Sequence, residues 1–274
     1  MHEFRTKWGA GVAYALLAAV VLAMLVPFFW SVLTSFKELE DVGGENILPR
    51  RWHPQNYAEV FDQVPFGRYY FNSIAIALAV TLGQLATSSM AAYGFGRLRW
   101  PGRDKIFIAY LATLMIPGIV LLIPNFILMR WFGWVNTYAA LIIPAMFTAF
   151  GTFMLRQFML TLPRELEDAA EIDGANQWQV FWNVTMPLTR PGVITLGIIT
   201  FIGSWKSFAW PLVVTWSPAV QPLPIGLSYF NQTYGTDYPH LMAASLMAIV
   251  PAVLVFLLGQ RFIVRGIRLG AIKG

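Results

Sequence analysis

Residues 163–187 read PRELEDAAEIDGANQWQVFWNVTMP and form the most polar long segment of an otherwise apolar chain. Five of the fourteen acids lie in it: Glu165, Glu167, Asp168, Glu171 and Asp173. Glu165, Asp168, Ala169 and Ile172 recur at i, i+3, i+4 and i+7, which places them on one helical face. Gly174 interrupts that pattern as a helix-ending residue does, since glycine enters the left-handed conformation without a Cβ penalty. Trp178, Phe181, Trp182 and Thr185 make a second stripe, expected to end at Pro187. The prediction is helix, glycine turn, helix. Trp and Phe on a short polar loop helix need a surface to cover them, which points to the groove of a partner protein. The competing reading is an amphipathic helix lying on a membrane surface, but such helices are rich in Lys and Arg, and this one is acidic.

Outward from this loop the chain turns greasy on both sides. It has 274 residues, 57% hydrophobic and only 12% charged, against about 25% charged in soluble domains. The prediction is an all-α integral membrane protein. Six spans are expected at roughly 11–36, 70–95, 106–127, 137–159, 191–215 and 240–263, each reaching the ~20 residues that cross a ~30 Å hydrocarbon core. The first is too long for the apolar region of a signal peptide. Ser73, Gly83, Thr87, Ser88, Ser89, Ala91 and Ala92 make the second a close-packing helix. Pro117, Pro124, Pro144 and Pro251 read as kinks tolerated where neighbours satisfy the freed carbonyls. Segment 125–136 is too short to cross and reads as interfacial, and 37–68 as a broken, Pro-containing polar segment. Thirteen Lys and Arg fall on the side of the N-terminus and of 163–187, five on the other, and Lys206 completes the nineteen. That bias predicts both termini and the polar loop in the cytoplasm. The positive charge therefore has a topological role, with no nucleic-acid motif beside it. With no Cys and only His2, His53 and His240, thiolate and histidine metal sites, disulfides and a Cys nucleophile have no material.

The spacing ExxDAAxxDGAxxxxxFxxxxxP resembles the "EAA" loop of permease subunits of binding-protein-dependent ABC importers. The resemblance implies the type I importer permease fold. It also implies a coupling helix at 163–187 docked on an ATPase subunit through Glu165, Asp168, Ala169, Ala170, Asp173, Gly174, Ala175, Trp178 and Phe181. Asp168 stands where the family usually has Glu, one methylene shorter. AAYGFGRLRWPGR (91–103) resembles the family's first cytoplasmic loop, with Pro101-Gly102 at the turn. RWHPQNY (51–57), LPIGLSYFNQTYGTDY (223–238) and QRFIVRGIRLGAIKG (260–274) are similar to segments of the carbohydrate-importing branch, specifically the second membrane subunit of maltose-, trehalose- and glycerol-phosphate-type systems. A solvated loop with Trp52 and Tyr57 at the interface is the alternative for 51–57. The division that follows is 1–68, first span and external loop; 69–262, transmembrane core; 263–274, cytoplasmic tail.

With Arg156 and Arg261, at the ends of their expected spans, counted on the cytoplasmic side, Lys206 is the one formal charge left within a span, in WKSFAWPL (205–212), where relatives generally carry a neutral WNxFxxPL pattern. Three readings stand side by side: contact with an anionic or strongly hydrogen-bonding substrate, pairing with an acid of a partner permease, or snorkelling to the interface beside Trp205 and Trp210. Gly203, Trp205, Lys206, Phe208, Trp210, Tyr229, Asn231 and Gln232 are the candidates for the substrate pathway. For each of them packing or interface anchoring competes. No GxxxxGK[ST] phosphate loop is present, so no cofactor is expected on this chain, with ATP and Mg bound by a partner ATPase dimer. The further partners implied are a second homologous permease, an extracytoplasmic binding protein and membrane lipid. The expected place is a bacterial or archaeal cell (inner) membrane. The function implied is half of an import pathway for a carbohydrate. The alternatives are an anionic substrate such as glycerol phosphate on the same machinery, or a non-transporting assembly subunit. An intramembrane enzyme is disfavoured, as no Asp, Glu or His sits in the middle of an expected span.

Overall fold

The computed structural model describes residues 2–44, 46–232 and 235–271, and of 2–10, 232 and 261–271 the backbone only. Its chain contacts divide into two units, residues up to Phe66 together with Leu227–Ile249, and Gly67–Gly226 together with the segment from Val250. Five helical stretches are long and apolar enough to cross a membrane: Gly11–Thr34, Phe66–Gly96, Tyr138–Leu160, Gln177–Trp205 and Tyr238–Gln260.

In the first unit, α1 (His2–Thr34) exposes every side chain from Gly11 to Trp30. Its end is tied down. Ser35 Oγ bonds Tyr57 Oη at 2.8 Å, and the buried Asn56 amide donates to the carbonyls of Ser35 and Lys37, both at 2.9 Å. Phe36 packs between the rings of Trp52 and Tyr57. RWHPQNY is thus more than a solvated loop: it folds back on the end of α1 and starts α2 (Asn56–Gln63). A two-residue hairpin pairs Asn231 with Thr236. It leads into α13 (Tyr238–Ala271), which keeps Pro251 inside it. The helix backbone continues through most of the segment expected as a tail. Residues 272–274 and the side chains from 261 onward lie outside the described part.

The second unit begins with α3 (Phe66–Gly96), whose Ser88 and Ser89 are buried as the small-residue pattern predicts. The expected third span does not form one helix. Region 103–131 is instead α4 (Arg103–Ala112), a 3-10 turn at Thr113–Met115, and α5 (Leu122–Trp131). Pro117 is the cause. It lacks an N–H and pushes the preceding Ile116 to φ −86°, ψ 115°, outside the helical region. Pro124, the third residue of α5, sits in a first turn that needs no amide donor. Pro144 likewise breaks its span rather than kinking it, between α6 (Tyr138–Ile142) and α7 (Ala149–Leu160). The carbonyls freed there find donors on α3: Gln84 Nε2 reaches Ala145 O at 2.7 Å and Thr87 Oγ1 reaches Met146 O at 2.6 Å.

The stretch around the polar loop is α8 (Glu165–Ile172), α9 (Gln177–Val180), a π turn at Phe181–Thr185 and α10 (Met186–Trp205). Pro187 does not end the second helix as expected. It falls at the start of α10, directly after the widened π turn, where the i−4 carbonyl a proline ring would strike is already displaced from α-helical register. At its other end α10 stops at Trp205, and α11 (Ala209–Val214) is separate, so the span expected at 191–215 is shifted, running over Gln177–Trp205 instead. A last short helix, α12 (Leu223–Ser228), closes the segment. The core is Ala92, Tyr93, Leu155, Met159, Phe181 and Leu196 beneath the loop, with a second cluster around Ile76, Val80, Leu141 and Val214.

Candidate functional site: an acidic loop helix and a polar cavity

The helix–glycine–helix reading of 163–187 holds at atomic detail. Gly174 has φ +88°, with Gly174 N–H donating to Glu171 O at 3.0 Å and Ala175 N–H to Ala170 O at 2.9 Å. This is a Schellman end, which satisfies the last carbonyls of α8. Asn176 then opens α9 with a reciprocal capping box. Its Oδ1 accepts the Gln179 N–H at 3.0 Å, while Gln179 Oε1 accepts the Asn176 N–H at 2.8 Å.

Glu165, Asp168, Ala169, Asp173, Gly174 and Trp178 are exposed, and Ala170 and Ala175 are half-buried. The outer face is both apolar and acidic, for Ile172 is 86% exposed, Trp178 59% and Trp182 57%. Phe181, which the sequence places with the docking residues, is 1% exposed. It supports that face from below, with its ring against Tyr93, Trp178 and Trp182 at 5.2, 5.6 and 5.0 Å. Tyr93 Oη donates to Gln177 Oε1 at 2.8 Å.

Sequence reasoning passed over Glu167. It turns inward from α8 to the Arg97 guanidinium, with Nε 2.8 Å from both carboxylate oxygens, and its Oε1 also accepts Thr185 Oγ1 at 2.8 Å. The i, i+3, i+4 count puts Glu167 off the exposed face. That was the available signal; its partner, 70 residues earlier, carried none.

The second feature is a cavity of about 350 Å³, at the lower end of ligand-site volumes. Its polar wall is Ser73, Gln84, Thr148, Thr200, Ser204 and Ser207, and Trp210 and Phe150 supply aromatic surface. Gln84 is fixed at both ends, donating to Ala145 O and accepting Thr200 Oγ1 at 2.8 Å. Trp210 Nε1 donates to Ala140 O at 2.9 Å.

Of the pathway candidates, Gly203 and Trp210 line this cavity. Trp205 is buried, stacked on Phe201 at 5.9 Å and edge-on to Tyr70 at 5.6 Å. Lys206 is exposed, immediately beyond the C-terminal end of α10, where a cation meets the negative end of the helix dipole. It is not among the lining residues. Phe208 is exposed at the start of α11. Tyr229 and Asn231 are exposed in the first unit, and the side chain of Gln232 lies outside the described part. Among the described residues no cluster of His, Cys, Asp and Glu has the geometry to hold a metal.

Residues 84–269 match the family of binding-protein-dependent transport system inner membrane components. The chain is 34% identical to the arabinooligosaccharides transport system permease protein AraQ of Halalkalibacterium halodurans, over 98% of this chain and 97% of the relative. It is 32% identical to the lactose transport system permease protein LacG of Rhizobium radiobacter over the whole of both. The crystal structure of a bacterial ABC transporter involved in import of the acidic polysaccharide alginate shares the fold. Its TM-score is 0.82 at 23% identity, covering 91% of this chain and 94% of that one. The chain belongs to the inner membrane components of binding-protein-dependent transport systems, and is thus an ABC transporter permease of the cell membrane.

Proposed function

We propose that this chain is one of two membrane subunits of an ATP-driven carbohydrate importer, and that the α8–α9 loop is the coupling element seated on a separate ATPase subunit. The observation that carries the reading is the outer face of that loop. Ile172, Trp178 and Trp182 stand out of a helix pair whose ends are both satisfied, by the Gly174 turn and the Asn176 capping box. Such an apolar face bordered by Glu165, Asp168 and Asp173 suits a mixed apolar and basic cleft. ATP and Mg belong to the ATPase dimer. Its closure would push the loop and drive the attached helices between inward-facing and outward-facing states, whose balance is set by nucleotide and by a loaded extracytoplasmic binding protein.

Carbohydrate is favoured by the relatives named for arabinooligosaccharides and lactose, and by diacetylchitobiose for a third from Streptomyces coelicolor, 31% identical. The cavity agrees in chemistry: hydroxyls, one amide and aromatic surface, with no formally charged residue in its lining. That supports a neutral substrate over glycerol phosphate. Six crossings with both termini cytoplasmic follow if the broken region 103–131 traverses the membrane as a whole. Five crossings would put the termini on opposite sides and dissolve the thirteen-to-five bias.

The test is co-purification of the ATPase with tagged permease, with Ile172→Asp and Trp178→Ala measured beside wild type. Wild type is expected to retain an ATPase whose hydrolysis responds to lactose or an arabinooligosaccharide with the binding protein present. The double variant is expected to lose it. Full retention by the double variant removes the loop face as the docking surface.

A further inference from the structure

The most buried ion pair among the described residues lies directly under the proposed coupling loop. The Arg97 side chain is 2% exposed and that of Glu167 13%. Arg97 follows the last residue of α3, and four of the five N–H groups of its guanidinium have acceptors. Besides Glu167, Nη1 donates to Met159 O and Leu162 O, both at 3.1 Å, and Nη2 to Pro163 O at 3.5 Å. These carbonyls are the C-terminal end of α7 and the entry to α8, where a cation also meets the helix dipole. Glu167 in turn takes the hydroxyl of Thr185, which is fully buried in the π turn that begins the α10 stretch. A single planar cation therefore gathers α3, α7, α8 and α10. Lysine cannot substitute, since one ammonium has three donors on a single point and no fork to span Glu167 and three carbonyls.

We propose that Arg97, with Glu167 and Thr185, is the positioning device that locks the loop's angle to three membrane helices, so that a push on the loop moves them as one body. This rests on the reading of α8–α9 as the coupling element. The argument is mechanical. A lever held by apolar contact alone slips, because dispersion contacts are non-directional. A fork of charge-assisted bonds fixes distance and angle together. Acids that face outward, such as Asp168, are left for the partner, and Glu167 is spent inward.

The chain contains no cysteine, so spin-label pairs can be placed without background. Labels at Ala169→Cys and Leu188→Cys report the angle between α8 and α10. Labels at Leu78→Cys and Leu188→Cys report the response of α3 and α10 to ADP–vanadate in the complex with its ATPase. Glu167→Gln, Arg97→Lys and Thr185→Val are compared with wild type. In wild type ADP–vanadate is expected to leave the Leu78–Leu188 distance unchanged, because the two helices move as one body. In the variants the expected result is a broadened Ala169–Leu188 distance distribution, with ATPase still bound, and a Leu78–Leu188 distance that ADP–vanadate shifts. The exchange Arg97→Glu with Glu167→Arg should restore part of both. A narrow Ala169–Leu188 distribution and a Leu78–Leu188 distance still unmoved by nucleotide in Glu167→Gln and Arg97→Lys overturn the proposal. So does loss of ATPase binding with the loop angle unchanged, which would make the pair a docking contact. If wild type retains no ATPase, the coupling reading fails by itself, while the Ala169–Leu188 widths still decide whether the pair locks the loop.

Discussion

Gly192 and Gly197 lie five residues apart on α10, yet alanine at the two positions should act in opposite directions. A Cβ on Gly192 falls 2.7 Å from two ring carbons of Phe158, whereas one on Gly197 first meets Leu85 at an ordinary 3.5 Å. Both exchanges gain the same helix preference, about 1 kcal/mol for Ala over Gly, and both remove the same conformational freedom from the unfolded chain. The two gains cancel in the comparison, leaving the clash with the stem of the Phe158 ring, whose Cγ is fixed one bond from its Cβ. Overpacking of this kind costs about 1–3 kcal/mol. Gly197→Ala is therefore expected to raise the thermal midpoint of the detergent-purified permease, and Gly192→Ala to leave it unchanged or lower it. At roughly 2–4 °C per kcal/mol for a chain of this size, the separation is measurable. Phe158→Ala should open the space, since the Cγ and Cδ atoms that meet the new methyl are then gone, so that Gly192→Ala in that background behaves like Gly197→Ala. That difference is the coupling energy of a double-mutant cycle. Equal midpoints for the two alanine variants, or no closing of the gap by Phe158→Ala, would refute the close approach of α7 and α10 as the reason for Gly192.

Asn72 is fully buried, sharing its amide protons among Pro218, Ala219 and Gln221 carbonyls while accepting Tyr138 Oη at 2.7 Å. Asn72→Ala should cost roughly 2–4 kcal/mol and speed hydrogen exchange of residues 215–222. Asn72→Asp should fail to restore protection, because a carboxylate has no protons to donate. Glu59 has its pKa lowered, first by its hydrogen bond with His240 and then by that with His53, at 2.9 and 3.3 Å. A depressed carboxylate pKa contributes stability that is present above the unfolded value near 4.5 and lost as pH falls through the folded one. The protection factors of α2 amides should therefore fall below about pH 4.5 in wild type and be flatter with pH in Glu59→Gln. Equal profiles would deny the carboxylate that role.

Much of the acidic loop at 163–187 is legible in the sequence, because its devices are local. Periodicity sets the outer face of α8, and a glycine at the helix end is read from the backbone's own sterics. Asn176 and Gln179 stand at capping-box spacing, a local signal that sequence reasoning left unread. The membrane character of five stretches follows from length and composition alone. Prolines were harder. Pro251 stays inside α13, while Pro117 and Pro144 break their spans. The difference at Pro144 lies in Gln84 and Thr87, donors about 60 residues away in the chain.

The amino-acid order by itself determined which segments are apolar enough to leave water, where the one acidic helix pair stands, and which residues of its first helix, α8, point outward. Those properties are sums over neighbours a few positions apart. Tertiary structure alone decided the inward turn of Glu167 to Arg97, the burial of Phe181 beneath the loop, and the gathering of Ser73, Gln84, Thr200 and Ser207 around one cavity. A buried charge or amide takes the partner that desolvation demands of it, and that partner is chosen by helix packing across the fold rather than by its place in the chain.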